Sequence, residues 1–107
     1  MNFNKINDEV SKFVNARNWD KYHSPKNLSM ALSVEASELV EIFQWKNDQN
    51  ISDTDKNKVE DEIADIFFYL IRLSQKMNID IEKSFYKKLE KNKIKYPLGM
   101  DNTKYFE

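Results

Sequence analysis

Apolar residues recur at steps of three and four positions along most of the chain, a spacing typical of amphipathic helices. The first helix is predicted from about Phe3 to Arg17, and a short loop follows it. Ser24 and Pro25 then read as the N-cap and first residue of a second helix. The apolar face of this second helix comprises Leu28, Ala31, Leu32, Leu39, Ile42 and Phe43.

A polar stretch, NDQNISDTD, separates the second helix from a third one. Ser52 or Asp53 is the expected cap, and the helix is predicted from roughly Asp55 to Met77. Its segment IADIFFYLIRL is apolar on nearly every side, and a helix of this kind is enclosed on several faces. Three companion helices would not enclose it fully, so we expect a subunit interface.

A fourth helix and a scarcity of helix breakers complete an all-α pattern. Asp80 can cap this helix, which is predicted to run to about Tyr96, where Pro97 stops it. The sequence has one Gly and two Pro, which leaves little room for hairpins or glycine-rich loops. We therefore expect one all-α domain over residues 1–107, built as a four-helix bundle.

Composition excludes several classes of function. The formal net charge of −1 argues against nucleic-acid binding, which needs a basic surface. The absence of Cys excludes disulfides and thiolate chemistry. No apolar run approaches the ~20 residues of a membrane span, and the N-terminus lacks an apolar signal segment. A cytoplasmic protein without membrane contact is the expectation.

Two pairs of carboxylates stand in positions that the apolar pattern predicts to be partly buried. Glu35 and Glu38 lie three residues apart in the second helix, and Glu62 and Asp65 do so in the third. This step places both acids of a pair on one helix face. Because buried carboxylates need a partner, the two pairs predict either a metal site or salt bridges with lysines.

An all-oxygen set of ligands restricts the metal. A di-iron site in a helical bundle needs Glu-x-x-His on two helices, whereas the single histidine here, His23, lies in a loop. Carboxylate oxygens suit Mg²⁺, with Mn²⁺ as a substitute. Mg²⁺ in proteins usually acts together with substrate phosphates, so a phosphorylated substrate is expected.

Two further groups of side chains could contact such a substrate. An ammonium is a suitable partner for phosphate, and aromatic faces stack on bases. A solvated lysine face and ordinary core packing are the alternatives for these groups. The phosphate-binding candidates are Lys88, Asn92 and Lys95 on one face of the fourth helix, and the base-stacking candidates are Trp19, Trp45 and Tyr69.

Taken together, the sequence resembles the all-α nucleoside triphosphate pyrophosphohydrolases of the MazG type, and most of all their small dCTP-pyrophosphatase branch. The resemblance covers nearly the whole chain, in the order and spacing of four blocks. These are ARNWDKYHSPKNLSMAL, VEASELVEIFQWK, EDEIADIFFYLIRL and KLEKNKIKYP.

The resemblance implies a Mg²⁺-dependent enzyme that hydrolyses dCTP, or a modified relative, to the monophosphate and pyrophosphate. It also implies a homotetramer of paired dimers. The implied metal ligands and catalytic acids are Glu35, Glu38, Glu62 and Asp65. The implied base pocket is Trp19, Trp45 and Tyr69, and the implied phosphate element is Lys88, Asn92, Lys95 and Tyr96.

Two other functions remain open from the sequence. The related phosphoribosyl-ATP pyrophosphohydrolases share the fold and metal, but three aromatics better suit a compact pocket for a single base. A non-catalytic helical interaction module would leave the inward-facing acids without an explanation. Such a module should not be stabilised by Mg²⁺.

Overall fold

The computed structural model describes residues 1–99, all of whose regular structure is helical. This confirms the all-α prediction for that part of the chain, while positions 100–107 of the predicted domain lie outside the described residues. None of the described helices combines the length and the apolarity needed to cross a lipid bilayer. The helices are α1 Phe3–Ala16, α2 Pro25–Phe43, α3 Asp53–Lys76 and α4 Ile81–Lys95, with short 3₁₀ turns at Asp20–Tyr22 and Asp48–Asn50.

Side-chain caps begin each of the last three helices where the sequence predicts them. Ser24 accepts a hydrogen bond from a backbone N–H of α2, and Pro25 is the first helical residue. Ser52 and Asp55 form a reciprocal capping box at the start of α3, and Asp80 caps α4. Ser52 is thus confirmed as one of the two predicted caps, and α3 starts at Asp53, two residues before the approximate start predicted at Asp55.

Removing the Ser52 cap is expected to destabilise the protein. Its hydroxyl accepts the Asp55 N–H at 3.1 Å, and Ser52→Ala leaves that donor without its partner. We expect the free energy of unfolding to fall by about 1 kcal/mol, measured by urea denaturation. Ser52→Asp keeps an acceptor at the cap and should retain most of the stability. Equal destabilisation by both variants would contradict the capping argument.

The end of α1 is a Schellman motif that determines where the following residue lies. Asn18 adopts a left-handed conformation with φ 56°, which asparagine tolerates better than most residues. The Asn18 N–H then donates to the Asn15 carbonyl at 3.2 Å, and the Trp19 N–H donates to the Val14 carbonyl at 3.1 Å. The Trp19 ring turns back onto Phe13, as the apolar contact of this motif requires.

The core is small and lies where α3 packs against α2 and α1. Only Val14, Leu28 and Ile71 among the described apolar residues are fully buried, one from each of these helices. No residue of α4 is fully buried, and Phe85 on this helix is 60% exposed. The predicted enclosure of α3 is likewise incomplete within one chain, where Ile63 is 55% exposed.

Candidate metal centre and adjoining clefts

The packing of α2 against α3 gathers acidic side chains from the two helices. One carboxylate oxygen from each of Glu35, Glu62 and Asp65 lies within 4.8 Å of the other two. Glu35 and Glu62 are half-buried, and Asp65 is exposed. We call these three residues the acid cluster. Glu38, the fourth predicted ligand, is exposed and lies outside the cluster, although its carboxylate interacts with that of Glu35.

The electrostatics of the acid cluster fit a hard divalent cation. A hydrogen bond with Glu62, then burial, and then Glu38 raise the pKa of Glu35 from 4.5 to about 7. That carboxyl–carboxylate bond needs a proton. Without it, Oε2 of Glu35 and Oε2 of Glu62 are both buried with no hydrogen-bond partner among the described residues. Orphaned anionic oxygens of this kind are the ligands that Mg²⁺ prefers.

Lysines do not neutralise this charge within the part of the chain that the structure describes. The ion pairs there join Lys46 to Asp55, Lys93 to Glu90, and two cations to Asp20. The acid cluster and Glu38 take part in none of these pairs. The metal interpretation of the two carboxylate pairs is therefore favoured over the salt-bridge interpretation.

Metal-free protein is expected to lose stability as the pH rises from about 4.5 to about 7. In this window folded Glu35 keeps a proton that the unfolded chain releases, because its folded pKa is raised. The folded state then binds more protons, so the free energy of unfolding falls with rising pH. Thermal melts in EDTA across this window measure the effect, with Glu35→Gln as the reference. A difference between the two proteins that does not change with pH would contradict the prediction.

An aromatic cleft of ≈ 790 Å³ opens beside the acid cluster. Glu35 and Asp65 line it, so two of the three clustered acids face this space. Its aromatic wall consists of Phe13 and Trp19 from the α1 end of the chain and Phe68 and Tyr69 from α3. The structure thus brings Trp19 and Tyr69, two of the three predicted base-stacking residues, next to the acids.

The aromatic wall is a chain of edge-to-face contacts. Ring centroids are 5.3 Å apart for Phe13 and Trp19, 5.8 Å for Phe13 and Phe68, and 5.4 Å for Phe68 and Tyr69. Burial, and then the charges of Glu35 and Asp65, raise the pKa of Tyr69. Phe13 and Phe68 were not among the residues predicted to contact a substrate. The spacing of Phe68 three residues after Asp65 was the available signal.

A second, polar cleft of ≈ 520 Å³ opens beside Glu38 and Glu62. Glu38 and Glu62 line it together with two cations that sequence analysis missed, Lys46 and Lys58. Lys46 is paired with Asp55, and this pair together with hydrogen bonds from Ser52 lowers the pKa of Asp55 to about 2. Glu62 lines this cleft and lies within 4.8 Å of Glu35 and Asp65, which line the aromatic cleft.

The other predicted substrate contacts lie away from both clefts. Trp45 follows the end of α2 and is 88% exposed. Lys88 and Lys95 are exposed on α4, Asn92 is half-buried, and Tyr96 comes directly after that helix. None of these side chains lines the aromatic or the polar cleft of the same copy. Their roles in phosphate and base binding stay predictions.

Comparison with known proteins places these features in a family. The model of the MazG-like family matches residues 30–106, which include all four predicted metal ligands. The chain is 31% identical over 95 residues to rat dCTP pyrophosphatase 1 and 33% identical over 92 residues to the human protein of that name. These matches cover 84% and 81% of this chain but 56% and 54% of the relatives. The chain thus spans about half the length of the curated relatives it matches.

A solved structure agrees over nearly the full length of both proteins. The crystal structure of a pyrophosphatase from Archaeoglobus fulgidus DSM 4304 superposes with a TM-score of 0.80 at 39% sequence identity. The match covers 88% of this chain and 91% of the archaeal one. The arrangement of the helices that holds the acid cluster is therefore shared with that protein.

Proposed function

Because this chain belongs to the MazG-like family, we propose that it hydrolyses a nucleoside triphosphate to the monophosphate and pyrophosphate. The observation that carries the proposal is the acid cluster. Glu35 and Glu62 each have a buried oxygen without a hydrogen-bond partner among the described residues, and Glu35 and Asp65 line the aromatic cleft. The similarity to dCTP pyrophosphatases and to an archaeal pyrophosphatase supports the same reaction.

The residues fit Mg²⁺, with Mn²⁺ as a substitute. Glu35, Glu62 and Asp65 would hold the metal, with Glu38 joining them through its contact with Glu35. Bound there, Mg²⁺ would supply charge neutralisation on the phosphates and a lowered pKa for a nearby water. The unpaired oxygens of Glu35 and Glu62 support this assignment, since a cation would satisfy both of them.

Other side chains of the site would bind the base and accept a proton during hydrolysis. Trp19 and Tyr69, in the aromatic cleft, would stack on the base and orient the nucleotide. Water attacks the α-phosphorus, the bond from that atom to the bridging oxygen breaks, and pyrophosphate leaves. A carboxylate of the site would accept the proton of the water.

We assign dCTP, or a modified dCTP, as the substrate. The support is the similarity to proteins named dCTP pyrophosphatase 1 in two mammals. The aromatic wall itself would accept any base, because every base has a face on which an aromatic ring can stack. Selectivity for cytosine therefore has to be measured on the protein.

We also propose that copies of this chain assemble as a tetramer of paired dimers. Large apolar side chains on α2, α3 and α4 are uncovered, among them Val40 at 66% exposed, Ile63 at 55% and Phe85 at 60%. Burial of these side chains between copies would add to a core in which three of the described apolar residues are fully buried. Assembly could also bring Trp45 and the α4 residues Lys88, Asn92 and Lys95 to the clefts of a neighbouring copy. Sedimentation equilibrium measures the number of copies.

Product analysis with Mg²⁺ and each of the four deoxynucleoside triphosphates, plus 5-methyl-dCTP, tests the reaction. Monophosphate and pyrophosphate in equal amounts, released fastest from a cytosine nucleotide, are expected. Release of inorganic phosphate instead would contradict the proposed bond cleavage. Turnover of phosphoribosyl-ATP alone would reassign the substrate. An absence of turnover together with no stabilisation by Mg²⁺ would favour a helical interaction module.

A further inference from the structure

Arg72 is a buried cation on α3, two helical turns beyond Asp65 and outside the lining of both clefts. Its side chain is only 8% exposed, and each of its three nitrogens has an acceptor. Nε donates to Nδ1 of His23 at 2.9 Å, a terminal nitrogen donates to Gln75 at 3.1 Å, and the other pairs with Asp20. A buried charge satisfied in this way holds its partners in one geometry.

The partners of Arg72 connect three parts of the chain. Gln75 on α3 donates in turn to the backbone carbonyl of Asn7 on α1, at 3.0 Å. Asp20 and His23 belong to the 3₁₀ turn between α1 and α2 and its C-terminal cap. Burial, and then the Arg72 charge, lower the pKa of His23. A neutral imidazole can accept at Nδ1, as the bond from Arg72 requires.

The turn that Arg72 holds carries Trp19. The Trp19 carbonyl accepts the Tyr22 N–H at 2.9 Å, and Trp19 is the residue that precedes the 3₁₀ turn. Its indole ring lies 6.2 Å from the His23 ring and 5.3 Å from the Phe13 ring, both in tilted, edge-type contacts. Trp19 is therefore packed between a residue that Arg72 binds directly and a residue of the cleft wall.

We propose that Arg72 is a positioning residue that fixes Trp19 as a wall of the aromatic cleft and so determines how tightly the cleft holds a nucleotide base. It acts through Asp20 and His23, because its own side chain does not reach the cleft. The identity of the occupant as a base rests on the proposed function. The role of Arg72 in fixing the position of Trp19 does not rest on the proposed function, since it is argued from the contacts of Arg72 alone.

Arginine is needed here because its planar fork presents donors in several fixed directions. Lysine at this position could pair with Asp20 but could not also bond to His23 and Gln75 from a planar group. We therefore expect Arg72→Lys to hold Trp19 in place only partly and Arg72→Ala to leave Trp19 without this support. Asp20→Ala cuts the same connection on an exposed side chain, so it gives a second variant that should fold.

The experiment measures steady-state hydrolysis of dCTP with Mg²⁺ and the fluorescence of Trp19. We expect Arg72→Ala and Asp20→Ala to raise KM about tenfold while kcat changes less than about twofold, because base stacking is lost equally from substrate and transition state. The sequence has two Trp, so Trp45→Phe leaves Trp19 as the single emitter. In that background both variants should shift Trp19 emission to the red and increase its quenching by acrylamide.

Lys76→Met is the matched control, since it removes a cation and a 3.0 Å bond to Asp20 but leaves Arg72 in place. Its KM should match that of the unaltered protein, and in the Trp45→Phe background its emission should match that of Trp45→Phe alone. Unchanged Trp19 emission in Arg72→Ala and Asp20→Ala would overturn the positioning role, and changed emission with unchanged KM would overturn its effect on binding. If no nucleotide is hydrolysed by the unaltered protein, the proposed function fails, while fluorescence still decides whether Arg72 positions Trp19.

Discussion

Replacing Glu35 with glutamine is expected to slow hydrolysis strongly and, at the same time, to stabilise the metal-free protein. Glutamine removes a negative charge from a site where Glu35, Glu62 and Asp65 lie within 4.8 Å, and its amide can donate to the Glu62 carboxylate. At a pH above the raised pKa of Glu35, satisfying that orphaned oxygen should contribute about 1 kcal/mol. The corresponding rise in Tm is about 4–8 °C for a domain of this size.

The same substitution should lower the rate of hydrolysis about 100-fold or more, because the site loses one ligand of the cation that would neutralise charge on the reacting phosphate. It should also remove most of the stabilisation that Mg²⁺ confers on the unaltered protein in thermal melts. Opposite changes in activity and stability distinguish a functional acid from a structural one.

Glu60→Gln is the control for this prediction. Glu60 is exposed on the same helix as Glu62 and Asp65 and lines neither cleft. The substitution makes the same change of side chain and charge, yet it should alter neither the Mg²⁺ response nor hydrolysis. The metal assignment would be wrong if Glu35→Gln kept both its Mg²⁺ response and its activity.

Mixing two inactive variants is expected to restore activity if the phosphate-binding face of α4 acts in a neighbouring copy. The first variant, Asp65→Asn, lacks a clustered acid, and the second, Lys88→Ala with Lys95→Ala, lacks the α4 cations. In isolation each should lose hydrolysis about 100-fold. A mixed dimer contains one site with intact acids from one copy and intact lysines from the other. An equal, random mixture should recover about a quarter of the unaltered activity, by the statistics of a two-fold dimer.

A second mixture provides the control for this complementation. Asp65→Asn combined with Glu62→Gln puts both lesions in the acid cluster, so no mixed dimer contains an intact set of acids. This mixture should stay inactive. If the α4 mixture also stays inactive although mixed dimers are recovered by tandem affinity purification, the α4 residues do not complete a neighbouring site.

Local signals in the sequence were sufficient for the helices and their caps. Ser24, Ser52 and Asp80 lie at the predicted helix starts because a short polar side chain can satisfy a free backbone N–H. The helical period also placed the two acids of each carboxylate pair on one helix face, although Glu38 and Asp65 are exposed in the structure. These features depend on residues within one or two turns of each other, and such contacts can be read from a single chain.

The composition of the site was decided by packing between elements distant in sequence. The register of α2 against α3 brings Glu35 to Glu62 and Asp65 and leaves Glu38 at the polar cleft. The turn after α1 brings Trp19 to the aromatic cleft, whereas Trp45, another predicted base-stacking residue, follows the end of α2 and is exposed. The direction of a side chain that follows a helix depends on the residue at which the helix ends. The spacing of apolar residues does not determine that residue closely.

The sequence by itself determined four helices, their caps, and two pairs of acids on helix faces, because these follow from backbone hydrogen bonding and the helical period. Only the tertiary structure decided which acids meet, that Phe13 and Phe68 belong to the cleft, and that Arg72 reaches Asp20 across more than 50 positions. The physical reason is that burial and pairing of charge are properties of the space between helices. That space exists only once the helices have packed.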